Sequence, residues 1–255
     1  MAWSATQYTK FEDERTRPVR DLIASIATID VKAAVDIGCG PGNSTELLHA
    51  RFSDATVRGV DNSPEMIAAA RKRLPALDFE IADISAWAAS PGRFDVILSN
   101  AALQWVPDHA TLFPALIEKL KPGGTLAVQV PDNADEPAHR LIREIAADGT
   151  WAGKFGAATR LHRSGALWYF GALREKATCL DIWRTTYFHV LHGGSNAVVE
   201  WFKGSALRPY LDALSASERA EFLARYQSAI AAAYPAFADG TVLLPFPRLF
   251  IVATR

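Results

Sequence analysis

Residues 35–45 read Val-Asp-Ile-Gly38-Cys39-Gly40-Pro41-Gly42-Asn-Ser-Thr, three glycines at alternate positions directly after an apolar run. Glycine tolerates positive φ and lets a ligand approach bare backbone. A helix starting after the turn would offer unpaired N–H groups. A bend of this kind holds a ligand at the carboxyl end of an open α/β sheet. Its details narrow the ligand. A dinucleotide fingerprint needs G-x-G-x-x-G, whereas the spacing here is G-x-G-x-G with Asn43 next, and the Gly-Lys-Ser/Thr of a phosphate-binding loop is absent. Asp61, 19 residues after Gly42, ends a second apolar run, and a carboxylate there can accept both hydroxyls of a ribose. Asp83 followed by Ile84 suits an adenine, with an acceptor for the exocyclic amine and an apolar contact for the ring. Two acids beside the bend repel a pyrophosphate but tolerate a ligand of zero or positive charge. Cys39 fits a tight turn better than it fits a reactive thiol.

The elements that must position these residues are legible as alternating strand and helix patterns. Residues 33–38, 56–61, 78–83, 94–100 and 125–130 read as strands. Helical patterns cover 19–27, 44–52, 64–74 (Ser63 as N-cap, Pro64 in the first turn) and roughly 110–120. Lys121-Pro122-Gly123-Gly124 reads as a breaker before the fifth strand, and Asp135 as a cap for a helix from Glu136. Strand–helix alternation at this spacing predicts βαβ units and a doubly wound, mostly parallel sheet with right-handed crossovers. Residues 179–191 and 242–254 read as two long closing strands. Between them Ser215-Ala216-Ser217-Glu218 matches a capping box for a helix running toward Tyr234. A helical insert where a short hairpin would suffice predicts a substrate cover; a packing or dimerisation element is the alternative. The expectation is one domain over 1–255, with helical cap segments at about 147–176 and 192–240.

Composition removes several function classes. The chain has 255 residues, 49% hydrophobic and 22% charged, with a net charge of -1. That is globular composition, and its balance argues against binding nucleic acid through bulk phosphate attraction. No apolar run approaches the ~20 residues that span a bilayer, and the first residues lack a signal-peptide layout. Two cysteines, Cys39 and Cys179, are too few for a disulfide scaffold. The expectation is a soluble cytoplasmic protein with reduced thiols, no metal, and no membrane or nucleic-acid partner. Of the 27 basic residues 19 are arginine, the side chain suited to forked carboxylate recognition.

Asp36-Ile-Gly-Cys-Gly-Pro-Gly42, Gly59-Val-Asp61-Asn-Ser-Pro, Ala82-Asp83-Ile84 and Leu120-Lys-Pro-Gly-Gly124 together resemble the class I methyltransferases that use S-adenosylmethionine. Tyr8-x-x-Phe11-x-x-x-Arg15-x-Arg17-Pro18, Leu103-Gln-Trp-Val-Pro-Asp108, Val130-Pro-Asp-Asn133, Asp181-Ile-Trp-Arg-Thr-Thr-Tyr187, Leu207-Arg-Pro209 and Phe246-Pro-Arg-Leu-Phe-Ile-Val252 are similar to the trans-aconitate 2-methyltransferase family within that class. The resemblance implies a seven-stranded Rossmann-like fold, S-adenosyl-L-methionine as cofactor, and esterification of one carboxylate of trans-aconitate or a related small polycarboxylate. On it, Gly38, Cys39, Gly40, Gly42, Asp61, Asn62, Asp83, Ile84, Asn100 and Arg15 are expected at the cofactor.

A carboxylate acceptor is ionised at neutral pH, so no general base and no catalytic residue is expected. The acceptor's charges require fixed cations, and Arg15, Arg17, Arg184, Lys203, Arg208 and Arg248 are candidates, Arg208 foremost. Gln104, Trp105, Tyr8, Tyr169 and Trp201 are expected to wall the acceptor pocket, although such aromatics also serve as plain core. His109 and His189 read as ordinary surface or sheet residues. A methyltransferase with a different small-molecule acceptor, a cofactor-binding regulatory module and a nicotinamide oxidoreductase are the alternatives, the last poor for want of G-x-G-x-x-G.

Overall fold

The computed structural model describes residues 12–151, 153–155 and 164–255. The first half runs α1 (Glu12–Ala24), β1 (Ala33–Ile37), α2 (Asn43–Arg51), β2 (Thr56–Asp61), α3 (Pro64–Arg73), β3 (Asp78–Ile81), α4 (Ile84–Ala89), β4 (Phe94–Asn100), a 3-10 turn (Leu103–Trp105), α5 (His109–Glu118) and β5 (Leu120–Pro131). The second runs α6 (Pro137–Ala146), α7 (Ala166–Leu173), β6 (Cys179–His192), α8 (Gly194–Lys203), α9 (Arg208–Asp212), α10 (Ala216–Ala233) and β7 (Thr241–Thr254).

The seven strands lie in the order β3-β2-β1-β4-β5-β7-β6. The β1–β2, β1–β4, β2–β3 and β4–β5 pairs are parallel. Bonds from Gly123 N–H to Arg255 C=O and from Asp132 N–H to Pro247 C=O make β7 antiparallel to β5. Bonds from Thr178 N–H to Thr254 C=O and from Gly194 N–H to Gly240 C=O likewise run β6 antiparallel to β7. The sheet is therefore mostly parallel, as the alternation predicts. Strand order reverses at β1, and a ligand crevice forms where neighbouring loops diverge. β1 is central and fully buried from Ala34 to Ile37, as a parallel strand covered on both faces must be.

Two compact units compose the chain. The first holds the described residues of Met1–Val130, His162–Thr185 and Arg248–Arg255; the second those of Pro131–Leu161 and Thr186–Pro247. The core of the first joins Val35, Ile37, Ile97, Val128 and Ile251 of the sheet to Phe113 and Leu116 of α5 and Leu173 of α7. In the second, α10 packs on α6 and α8, with Trp151 and Tyr210 against Phe222. Among the described residues no helix is long and apolar enough to cross a membrane.

Several local expectations need correction. β3 stops at Ile81, because Asp83 turns its carboxylate onto Ser85 N–H and Ala86 N–H and caps α4, a short helix the sequence reading lacks. The 121–124 segment does not separate a helix from a later strand. It already belongs to β5, where Gly123 and Gly124 bond Arg255. Glu136, not Asp135, caps α6. His109 is no surface residue: it is 1% exposed, with Nδ1 on Tyr169 Oη and Nε2 on Leu103 C=O, both 2.8 Å. Tyr169, expected at the acceptor, therefore lies in the core of the first unit rather than on a pocket wall. Ser215, by contrast, opens α10 as expected, its N–H and Oγ both donating to Glu218 Oε2.

Candidate functional site

The bend after β1 is built from three left-handed glycines, with φ of +73° at Gly38, +53° at Gly40 and +91° at Gly42. A non-glycine residue pays for that conformation. Gly38 and Cys39 both donate their N–H to Val60 C=O, at 2.7 and 3.0 Å, so β2 holds the bend. Gly42 serves as the N-cap of α2. A Cβ on Gly38 would stand 2.1 Å from Ala102 Cβ, whereas one on Gly40 would meet nothing within 4 Å. Gly40 therefore presents bare backbone to open space.

Beneath the bend, Asp36 is fully buried and accepts from Ser44 Oγ at 2.6 Å and Thr45 Oγ1 at 2.7 Å. Burial pushes its carboxyl up to about 6, against those two bonds and helped by nearby Asp61. Cys39 packs with Ile67, Ala70 and Phe79. Its thiol is pushed up, chiefly by burial, so it is not a poised nucleophile.

A cavity of about 240 Å³ opens on the bend. Gly38, Cys39 and Gly40 line it from the bend after β1, Asp61 and Asn62 from the end of β2, Asp83 and Ile84 from the start of α4, and Asn100 from the end of β4. Trp105, 45% exposed, stands at its edge. Asp61 accepts Gly40 N–H through Oδ2 and Ser63 N–H through Oδ1, each at 2.9 Å. Each oxygen keeps a second lone pair for a ligand hydroxyl. The Oδ1 of Asn100 is buried without a hydrogen-bond partner in the protein, an acceptor in want of a donor. Gln104 donates its amide to Ala101 C=O at 2.8 Å and leaves its own Oε1 buried and unbonded.

The structure thus brings together eight of the residues expected at a cofactor, with Gly42 at the adjoining helix start. Tyr8 and the side chain of Arg15 lie outside the described residues. Trp201 is buried in the second unit, stacked on His189 at 4.8 Å, and Arg208 opens α9 with Nε 3.8 Å from Asp212. The sequence reading missed Thr16 and Val19 of α1, Leu47, Met66, and the Ala101–Ala102 pair, all on the cavity. Apolar side chains at helical spacing read as core, and nothing in the sequence signals that Ala101 adopts a φ of +52°.

Among the described residues no cluster of His, Cys, Asp or Glu is placed to hold a metal ion. The donors and acceptors on the cavity fit a nucleoside that also carries a cationic donor: paired acceptors at Asp61, an acceptor beside an apolar side chain at Asp83–Ile84, and the unmet oxygen of Asn100.

Comparison with known proteins follows the same line. Residues 34–124 match a family described as a methyltransferase domain. Trans-aconitate 2-methyltransferase of Rhizobium meliloti (strain 1021) is 52% identical over 257 residues, covering 100% of this chain and 99% of that one. The protein of the same name from Azoarcus sp. (strain BH72) is 50% identical, covering 99% of each. Among solved structures, the YcgJ protein of Bacillus subtilis superposes with a TM-score of 0.61 at 12% identity, over 94% of this chain and 98% of that one. The Haemonchus contortus phosphoethanolamine N-methyltransferase 2 complex with S-adenosylhomocysteine gives 0.56 at 14%, over 93% and 52%. At such identity the structures speak to the fold. Half-identity over the full length speaks to more: the chain belongs to the trans-aconitate 2-methyltransferase family of class I methyltransferases.

Proposed function

We propose that this protein uses S-adenosyl-L-methionine to methylate one carboxylate of trans-aconitate. The observation that carries the reading is the alignment of the glycine bend, Asp61, Asp83–Ile84 and the unmet Oδ1 of Asn100 on one cavity, in a chain about half identical to relatives of that name. S-adenosyl-L-methionine supplies an electrophilic sulfonium methyl and leaves as S-adenosylhomocysteine. With the cofactor bound, Asp61 would hold the ribose hydroxyls, Asp83 and Ile84 would hold the adenine, and Asn100 Oδ1 would accept from the ammonium of the amino-acid end. Gly38, Cys39, Gly40 and Asn62 provide backbone and edge contacts, Gly42 starts α2 below them, and Arg15 is assigned to the cofactor's carboxylate.

No residue is required to move a proton, since the acceptor is already an anion. What the protein contributes is alignment, which reaches ~7–11 kcal/mol in model reactions, and exclusion of water from a weak nucleophile. Trp105 at the cavity edge and Gln104, its neighbour in the 3-10 turn, are assigned to the acceptor.

The test is transfer of label from S-adenosylmethionine by the purified protein to trans-aconitate, cis-aconitate, citrate and isocitrate. The reading expects base-labile label on trans-aconitate in preference to the others. Label reaching none of the four would remove it.

A further inference from the structure

Beyond β4, on the side of the sheet away from β1–β3, two buried polar side chains stand outside the lining of the cavity. Arg248 of β7 is 5% exposed and Gln129 of β5 is 1% exposed. Arg248 Nη1 donates to Gln129 Oε1 at 3.3 Å. That bond fixes the amide: its oxygen faces the guanidinium and its NH2 points away, and Nε2 is buried without a hydrogen-bond partner in the protein. Gln129 is in register with Asn100 across β4–β5, so both side chains leave the same face of the sheet. Asn100 lines the cavity. Ala101 N–H donates to Gln129 C=O at 2.8 Å and fastens β5 to the tip of β4.

We propose that Arg248 and Gln129 form the seat for one carboxylate of the acceptor; this rests on the reading that the acceptor is a polycarboxylate. The pair presents donors: the guanidinium, which keeps its charge at any working pH, and the unmet amide NH2. A carboxylate has an oxygen for each kind of donor. A buried cation attracts it more strongly than a surface one does. Arg208, with 35% of its side chain exposed and Asp212 on its own helix 3.8 Å away, offers much less. Location favours the acceptor over the cofactor's own carboxylate. β5 and β7 stand one and two strands beyond β4, about 5 and 10 Å at ordinary strand spacing, whereas the nucleoside contacts lie on β1 to β4.

Two variants test the seat. Gln129→Glu sets a built-in carboxylate against Arg248, and Arg248→Lys keeps the charge but loses the fork. Circular dichroism confirms folding, and either folded variant suffices. Titration calorimetry measures trans-aconitate binding to protein saturated with S-adenosylhomocysteine, and separately S-adenosylhomocysteine binding itself. Gln129→Glu is expected to weaken trans-aconitate binding and raise its KM by about 10–100-fold, as for loss of a partner from a buried charged pair. Arg248→Lys falls between it and wild type. In both, kcat stays within about threefold, the pattern of lost uniform binding, and S-adenosylhomocysteine affinity stays within about twofold. Unchanged trans-aconitate affinity in folded variants overturns the seat while leaving the proposed activity standing. An equal loss of S-adenosylhomocysteine affinity overturns it too, by assigning Arg248 to the cofactor's carboxylate. A wild-type protein that methylates none of the polycarboxylates removes the reading and the seat together.

Discussion

The carboxylate of Asp61 accepts the amide N–H of Gly40 at 2.9 Å, across 21 residues of sequence. One acid at the tip of β2 therefore fixes the backbone of the bend after β1 while facing the cavity with its remaining lone pairs. A hydrogen bond to a charged acceptor contributes about 1.5–3 kcal/mol.

Asp61→Ala should thus weaken S-adenosylhomocysteine binding by about 10–100-fold in calorimetry, with KM for the acid little changed. Asp61→Asn, which can still accept from Gly40, should fall between. Equal affinity in all three proteins would show that the acid serves only the turn.

Asp36 links stability to pH. Its folded carboxyl sits at about 6 against an ordinary 3.8, so the buried group favours folding in its protonated form. That contribution is fully present below about pH 4 and is lost as pH rises through 6. Asp36→Asn cannot titrate. Measured by urea unfolding, its stability relative to wild type should improve by about 2–3 kcal/mol between pH 4 and pH 7.5. A pH-independent difference would show that Asp36 does not titrate in this window.

Gly38 and Gly40 share positive φ but differ in surroundings, which separates conformational strain from collision. Gly40→Ala should cost only about 1–2 kcal/mol of stability, while the added methyl stands in the cavity and lowers cofactor affinity. Gly38→Ala drives its Cβ to 2.1 Å from Ala102 Cβ and should lose several kcal/mol more. Thermal melts and calorimetry on the same two variants read both effects.

In the second unit two tyrosines meet one residue of α6. Tyr234 Oη accepts Ala138 N–H at 3.1 Å, and Tyr226 Oη donates to Ala138 C=O at 3.1 Å. The N–H lies in the first turn, where no intrahelical carbonyl can reach it. Tyr234→Phe orphans a buried donor and should cost about 1–3 kcal/mol. Tyr226→Phe removes one bond to a carbonyl that can still accept along the helix, and should cost about 1 kcal/mol. Denaturant midpoints in the reverse order would contradict this assignment.

Much of the site was legible because it sits on the part of the chain where local rules are strongest. β2 and β4 begin and end where apolar runs meet Asp61 and Asn100, and Ser63-Pro64 starts α3 as capping chemistry requires. The failures have particular causes. Asp83 could end a strand or cap a helix, and only the bonds to Ser85 and Ala86 decide. Gly123 and Gly124 look like a break, yet pairing with Arg255, more than a hundred residues away, makes them strand. His109 reads as polar surface until Tyr169, 60 residues on, supplies its partner. Gln129 and Arg248 are 119 residues apart, and no local pattern announces that they touch.

Gly59 faces the ring of Phe79 and the sulfur of Cys39, where a Cβ would stand 2.6 and 2.9 Å away. The space at the bend, at Gly59 of β2 and at Phe79 of β3 is therefore a single quantity shared among them. Enlarging one demands shrinking another, or the bend shifts and takes the cavity lining with it. Divergence at these positions has to proceed by concerted exchange, a serine for the thiol or a smaller ring admitting bulk elsewhere, rather than by independent drift.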